Sequence, residues 1–211
     1  MNDLDLIIIN KIIETGKRMY ERGFVAANDG NISAKSDDGN IWITPTFVSK
    51  GDMTPDMMLK LSPDGEILCG ERKRSSETGM HLRIYAENPE INAVVHAHPP
   101  FSTAFAVAEL PLDLPIYPEA FVLLGEVPCA KYALPGSPEV GDSVAPYCKS
   151  HKALLLAHHG LVTWGKDLTQ AWHRMESAEG YARIIIYSKY IMGIVKPLTE
   201  EQTEALKLIK I

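Results

Sequence analysis

Two hydrophobic rhythms alternate along the chain, one with a period near 3.6 and one with a period of 2, and the changes between them mark its elements. Over residues 4–22, Leu4, Ile8, Ile12 and Met19 recur at helical spacing, and Gly23 follows as a terminator. Residues 31–35 and 41–44 read as strands around the polar loop Ser36-Asp37-Asp38-Gly39-Asn40. Residues 58–61 and 66–69 repeat that arrangement around Ser62-Pro63-Asp64-Gly65. Ser75-Ser76-Glu77 precedes a helix to about residue 87, with a serine expected as N-cap and Asn88-Pro89 as the stop.

The pattern then predicts a strand over 91–98, a helix over 100–109, a strand over 127–132 and a helix over 138–150 that carries Gly141 and Pro146. Apolar strands over 153–157 and 161–164 flank His158-His159-Gly160. A long helix follows over 167–192, and Thr199 with Gln202 forms a capping box for a last short helix. Strands in hairpin pairs mixed with helices predict an α/β (α+β) chain, an α/β/α or α+β sandwich with a mostly antiparallel central sheet. No repeat, linker or compositional break divides residues 1–211, so one domain is expected. No glycine-rich dinucleotide or phosphate-loop fingerprint is present.

Composition narrows the class. Hydrophobic residues make up 45% and charged residues 23%, which excludes disordered and collagen-like chains. The net charge of −6 gives no general attraction to nucleic acid or anionic membranes. The basic cluster Arg72-Lys73-Arg74 reads equally as a solvated loop or as an anion contact. Three cysteines, at 69, 129 and 148, lack redox or zinc-ribbon spacing and suit a reducing compartment. Asp3 and Asp5 stand where a secretory signal would be basic, and the apolar run over 6–13 is too short for a bilayer, so a soluble cytoplasmic protein is expected.

The candidate chemistry lies in two histidine segments. In Val94-Val95-His96-Ala97-His98 a strand turns both imidazoles to one face, as the start of a divalent-metal site or as two exposed strand histidines. The apolar run ending in His158-His159-Gly160 offers a third ligand from either histidine. His81, His151 and His173 read as ordinary surface or core residues. Three histidines leave a zinc position open, the mark of a catalytic site. Glu77 can serve that opening as ligand or general base, although the helix dipole alone favours a glutamate there. Ser75 and Ser76 at the same helix start offer hydroxyls and N–H groups to an anion, and Asp29-Gly30-Asn31 and Thr44-Pro45-Thr46 are further polar turns.

In order, Gly30-Asn31-Ile32-Ser33, Ile43-Thr44-Pro45-Thr46, Ser75-Ser76-Glu77, Val94-Val95-His96-Ala97-His98 and Leu154-Leu155-Leu156-Ala157-His158-His159-Gly160-Leu161 resemble the class II aldolase/adducin family, most closely the L-fuculose-1-phosphate aldolases. The resemblance implies an α/β/α sandwich assembled as a C4 homotetramer with active sites at subunit interfaces. It implies one zinc ion per subunit held by His96, His98, His159 and Glu77, with Glu77 also the catalytic carboxylate. It places Gly30, Asn31, Thr46, Phe47, Ser75 and Ser76 around a substrate phosphate and Tyr117 near the aldehyde end. The implied reaction is reversible cleavage of L-fuculose 1-phosphate to dihydroxyacetone phosphate and L-lactaldehyde through an enediolate.

Three departures bear on the substrate. Phe47 replaces a glycine, Pro135 replaces a phenylalanine of the aldehyde site, and no tyrosine matches the family's C-terminal proton donor before Ile211, which leaves Tyr117 or a neighbouring subunit's tyrosine for that role. Aldolases for 5-deoxy- or 5-methylthio-ribulose 1-phosphate, pentulose-5-phosphate 4-epimerases, sugar-acid phosphate decarboxylases and an adducin-like scaffold are the alternatives within the same resemblance.

Overall fold

The computed structural model describes residues 3–209. In chain order the elements are α1 (Asp3–Glu21), β1 (Asn31–Lys35), β2 (Ile41–Ile43), β3 (Leu59–Leu61), β4 (Ile67–Cys69), α2 (Thr78–Glu87), β5 (Ala93–Ala97), α3 (Pro100–Val107), α4 (Pro118–Leu123), β6 (Cys129–Ala130), α5 (Pro138–Val144), β7 (Ala153–Leu156), β8 (Gly160–Gly165), α6 (Leu168–Ile185) and α7 (Glu200–Lys207). The strands form one sheet in the order β4-β3-β2-β1-β5-β8-β7-β6. Every neighbouring pair is antiparallel except β6 and β7. The mixed α/β sandwich with a mostly antiparallel sheet is therefore the observed fold.

Strand alternation builds a core on each face. Ala93, Val95 and Ala97 of β5 join Ile9, Ile12 and Met19 of α1 and Trp172 and Met175 of α6. Val94 of β5 and Val162 and Trp164 of β8 join Met80 and Ile84 of α2 and Val140 and Val144 of α5 on the opposite face. Gly141 lets α5 lie close to α2, since a Cβ there would sit 3.2 Å from Arg83 Cβ.

The structure corrects four local expectations. The expected helix over 138–150 is α5 followed by a 3₁₀ turn at Ala145–Tyr147, where Pro146 cannot donate to an α-helical ladder. The helix expected over 167–192 is α6, capped by the Asp167 carboxylate accepting from Gln170 N, and it continues as a π-helical turn at Ile186–Ile191. The strand expected over 127–132 is only β6, and α4, six residues long, has too little periodicity to announce itself. Neither serine caps α2: Glu77 holds the cap position, and Ser75 Oγ instead accepts from the Glu77 N–H at 3.2 Å. The capping box at Thr199 and Gln202 is present as expected.

Candidate metal centre and adjoining cleft

His96 and His98 stand at the end of β5, and His159 stands in the turn that enters β8, the neighbour of β5. The turn has a particular sequence requirement. His158 adopts φ +55°, and a Cβ at Gly160 would lie 2.6 Å from both Ala97 O and His98 Cδ2. Only glycine lets the strands close at that point and bring His159 against the β5 pair. The ring centroids are 5.0 Å apart for His96–His98, 4.7 Å for His96–His159 and 5.1 Å for His98–His159. One nitrogen from each ring lies within 4.8 Å of the others.

The protonation pattern points these nitrogens at a common centre. His96 is fully buried and its Nδ1 lies 3.0 Å from Leu161 O, so Nδ1 carries the proton and Nε2 carries the lone pair. His98 Nε2 is 3.2 Å from His96 Nε2, and His98 Nδ1 is 3.5 Å from Asp29 Oδ2. Burial pushes the His96 imidazole down to about 3. His98 is lowered as well, by burial first and by the neighbouring His159 second. Both rings are therefore neutral near pH 7, the form that ligates metals.

Glu77 completes the set from the start of α2. Its Oε1 lies 3.0 Å from His159 Nε2 and its Oε2 3.4 Å from His96 Nε2. Oε1 is buried without a hydrogen bond of acceptable geometry. Burial alone would raise this carboxyl; the His96 and His159 rings and the Asn31 amide outweigh it and hold the group well below the usual carboxylate range. Three imidazole lone pairs and an orphaned carboxylate oxygen around one point fit a divalent ion of the zinc class, with donor types of matching softness.

A buried chain of hydrogen bonds stands behind Glu77. Asn31 Nδ2 donates to Glu77 Oε2 at 2.6 Å, and Asn31 Oδ1 accepts from His81 Nε2 at 2.5 Å. His81 Nδ1 then accepts from Ser33 Oγ at 2.6 Å, and Ser33 accepts from the Tyr85 hydroxyl at 2.7 Å. This assignment satisfies each group once and requires a neutral His81. In the sequence His81 reads as an ordinary residue, Ser33 stands in a family motif without a role of its own, and Tyr85 draws no attention. The signal was there: Glu77, His81 and Tyr85 recur every four residues on one face of α2, and Asn31 and Ser33 are two apart on a strand.

Beside the histidines lies a cleft of about 300 Å³ lined by Gly30, Asn31, Thr46, Phe47, Ser75, Ser76 and Pro135 together with Glu77, His98 and His159. All the expected phosphate-pocket residues thus meet in one place. Gly30 adopts φ +72° and lies against His96 O, where a Cβ would come within 2.7 Å. Phe47 also takes a left-handed φ, +60°, and is 77% exposed at the lip. A larger cleft of about 790 Å³ shares Thr46, Phe47, Ser75 and Ser76 and adds Lys73 and Arg74 of the basic cluster. Tyr117 does not line the cleft. It precedes α4, half-buried, with its ring 6.0 Å from that of Tyr181.

Residues 10–186 match the family model described as the class II aldolase and adducin N-terminal domain. The 3-oxo-tetronate 4-phosphate decarboxylase of Pectobacterium atrosepticum is 35% identical over 188 residues, covering 87% of this chain and 84% of its own. The L-fuculose phosphate aldolase of Methanococcus maripaludis is 35% identical over 189 residues, covering 89% of this chain and 99% of its own. Among solved structures, YgbL from Escherichia coli superposes with a TM-score of 0.90 at 30% identity, over 97% of this chain and 100% of that one. No helix among the described residues is long and apolar enough to cross a membrane. Fold, metal-competent histidine triad and sequence match agree: the chain belongs to the class II aldolase and adducin N-terminal domain family.

Proposed function

We propose that the protein is a zinc-dependent lyase that breaks a carbon–carbon bond in a phosphorylated sugar and releases dihydroxyacetone phosphate, with L-fuculose 1-phosphate or a related ketose 1-phosphate as substrate. The observation that carries this reading is the placing of Glu77: its carboxylate lies against the histidine cluster, and the residue lines the same cleft as Ser75 and Ser76. His96, His98, His159 and Glu77 are the residues that would hold the metal. When bound, the ion supplies Lewis-acid charge for the oxyanion that develops beside it.

The chain's own groups account for phosphate binding and for the proton at the enediolate carbon. Ser75, Ser76 and Thr46 line the cleft that would take the phosphate. Glu77 is ionised and aimed by Asn31, so it can accept a proton from the hydroxymethyl carbon of dihydroxyacetone phosphate in the condensation direction. In cleavage it returns that proton to the enediolate.

A second reading is favoured by the decarboxylase relative. A 3-oxo-tetronate 4-phosphate that loses carbon dioxide leaves the same enediolate of dihydroxyacetone phosphate. The two reactions share the phosphate, the enediolate and the proton delivered by Glu77; they differ in the leaving group, and aldol cleavage also needs a base to take the hydroxyl proton of the departing aldehyde, which decarboxylation does not. The experiment incubates zinc-loaded protein with L-fuculose 1-phosphate, 5-deoxy-ribulose 1-phosphate and 3-oxo-tetronate 4-phosphate. Dihydroxyacetone phosphate is followed in each case, with a chelated control. Chelator-sensitive release is expected; an aldehyde co-product identifies an aldolase and carbon dioxide a decarboxylase. Release from none of the three overturns the proposal.

A further inference from the structure

Lys50 is a charged residue with no exposed surface, and the chemistry proposed above does not use it. Its ammonium donates to two main-chain carbonyls, Val48 O at 2.8 Å and Asn28 O at 3.1 Å. Those carbonyls belong to the two loops that wall the cleft. Asn28, Asp29 and Gly30 form one wall, and Pro45, Thr46 and Phe47, just before Val48, form the other.

The sequence goes to some length to bury this ammonium. Gly16 sits inside α1, where alanine would favour the helix. A Cβ at Gly16 would lie 2.9 Å from Lys50 O and 2.3 Å from Met53 Cε, so only glycine lets α1 rest on the Lys50 segment. Gly51 meets Tyr20 of α1 in the same way, its Cβ position falling 2.9 Å from the Tyr20 ring. A buried cation is costly, and methionine would fill the same volume without that cost. Burial lowers the ammonium to about 8, while the charges of Asp29 and Glu77 act in the opposite direction, so it is mostly protonated at neutral pH.

We infer that Lys50 is the positioning residue of the cleft: it clamps the Asn28 and Val48 carbonyls so that the two walls stand apart by the width of a phosphate, and it sets a fixed positive charge behind the place where a phosphate dianion binds. The inference rests on the reading of the cleft as a phosphate pocket. Lys50 has no exposed atoms and so acts through the loops and through its field, not by touching the substrate. A lysine retained only for folding would show a different signature, a lower melting temperature with unchanged anion affinity.

The test titrates inorganic phosphate into the metal-bound protein by calorimetry, well below the melting temperature of every variant. Wild type, Lys50→Met, Lys50→Gln and Ser76→Ala are compared. Wild type should bind phosphate and Ser76→Ala should weaken it. Each Lys50 variant should weaken it by at least about tenfold, as expected for loss of one nearby charge in a low-dielectric setting, while still binding metal with unchanged stoichiometry. Phosphate affinity equal to wild type in a folded Lys50→Met protein overturns the inference and leaves the pocket standing. No phosphate binding by wild type, or none that depends on Ser76, overturns the pocket and the inference together. If neither Lys50 variant folds, wild type carrying ¹³C-labelled lysine decides the matter: the Lys50 Cε resonance should move on saturation with phosphate, and a stationary resonance overturns the role.

Discussion

Asn31 Nδ2 donates to Glu77 Oε2 at 2.6 Å, joining the first strand of the sheet to the start of α2 across 46 positions of sequence. Asn31 also pairs with His96 in the β1–β5 register, so one residue ties the carboxylate to a strand that bears two of the histidines. Its side chain is spent on both neighbours, the amide nitrogen on Glu77 and the oxygen on His81. Asn31→Ala should therefore leave Glu77 free to swing and His81 without an acceptor. The expected result is a fall in kcat of about 10- to 100-fold, the usual range for loss of a group that orients a metal-site residue. Steady-state kinetics on whichever substrate is turned over, with metal content measured in parallel, checks this. An unchanged kcat would show that Glu77 is held by other means.

Burial lowers the His81 imidazole to about 4 from an ordinary value of 6.5, and this makes stability depend on pH. Above about 6.5 the ring is neutral in the folded and unfolded chains alike, so it contributes no pH dependence there. Between about 6.5 and 4 the unfolded chain binds a proton that the folded chain does not, and the unfolded state gains as pH falls. Below about 4 both states are protonated and the dependence ends. The urea midpoint of wild type should drop as pH is lowered through that window. His81→Gln, which has no titrating ring, should lose less across it. Parallel losses in the two proteins would mean that His81 is not the group being titrated.

The layers of the fold were readable because they depend on periodicity. Residues 31–35 alternate polar and apolar, and in β5 the successive residues Val94 and Val95 go to opposite cores as strand geometry requires. The metal-competent histidines were readable for the same reason, since a two-residue spacing on a strand fixes a common face. The partner from another strand was less so, because His158 and His159 are equivalent until the left-handed turn at His158 decides which one points inward. The network behind Glu77 and the clamp at Lys50 were not anticipated. They depend on contacts between residues 46 and 22 positions apart, and no local rhythm reports such pairs. The Ser75-Ser76-Glu77 start was misread because a cap signature is the same whether the serine bonds the third amide of the helix or, as here, the Glu77 amide two residues on.

Chelation should destabilise the protein as well as silence it. Two neutral rings and a third imidazole turned toward one point, with a carboxylate beside them, form a site that only the folded chain presents. A ligand present at a thousandfold above its Kd stabilises the folded state by about 4 kcal/mol. Removing zinc from the loaded protein should lower Tm accordingly, and re-addition should restore it. His98→Ala should respond far less to chelator in the same melting experiment. A wild-type Tm indifferent to chelator would rule out a tightly held metal.

Phe47 stands at φ +60° with 77% of its surface exposed, so it carries backbone strain with little burial in return. The left-handed conformation costs an ordinary residue about 1–2 kcal/mol and costs glycine nothing comparable. Against this, glycine gains conformational freedom in the unfolded chain, worth about 0.5–1 kcal/mol. Phe47→Gly should thus keep or raise stability, by up to about 1 kcal/mol, although it deletes a large aromatic side chain. Urea unfolding measures this directly, and a loss beyond about 0.5 kcal/mol, the limit for an ordinary surface change, would show that the ring makes contacts worth more than the strain.

Glu179 of α6 caps α3 from outside that helix. Its Oε1 accepts from Phe101 N at 2.9 Å, and its Oε2 accepts from Ser102 N and Ser102 Oγ, both at 2.8 Å. Pro99, at the cap position, has no side chain that could do this, and Pro100 has no N–H to satisfy. Glu179 is only 7% exposed, and its carboxylate sits at the positive end of the helix dipole, where a negative charge is stabilising. Glu179→Ala would bury donors without acceptors, at a cost of about 3 kcal/mol. Glu179→Gln keeps one acceptor oxygen and should cost less. The effect should extend beyond stability, because His98 lies two residues before α3 and takes its position from where that helix begins. A competition titration with a metal indicator should show affinity lowered by about tenfold in Glu179→Ala, a loss of the size seen when a ligand's support is removed. Unchanged metal affinity in a folded but destabilised Glu179→Ala protein would confine this residue to holding α3 and separate the helix start from the placing of His98.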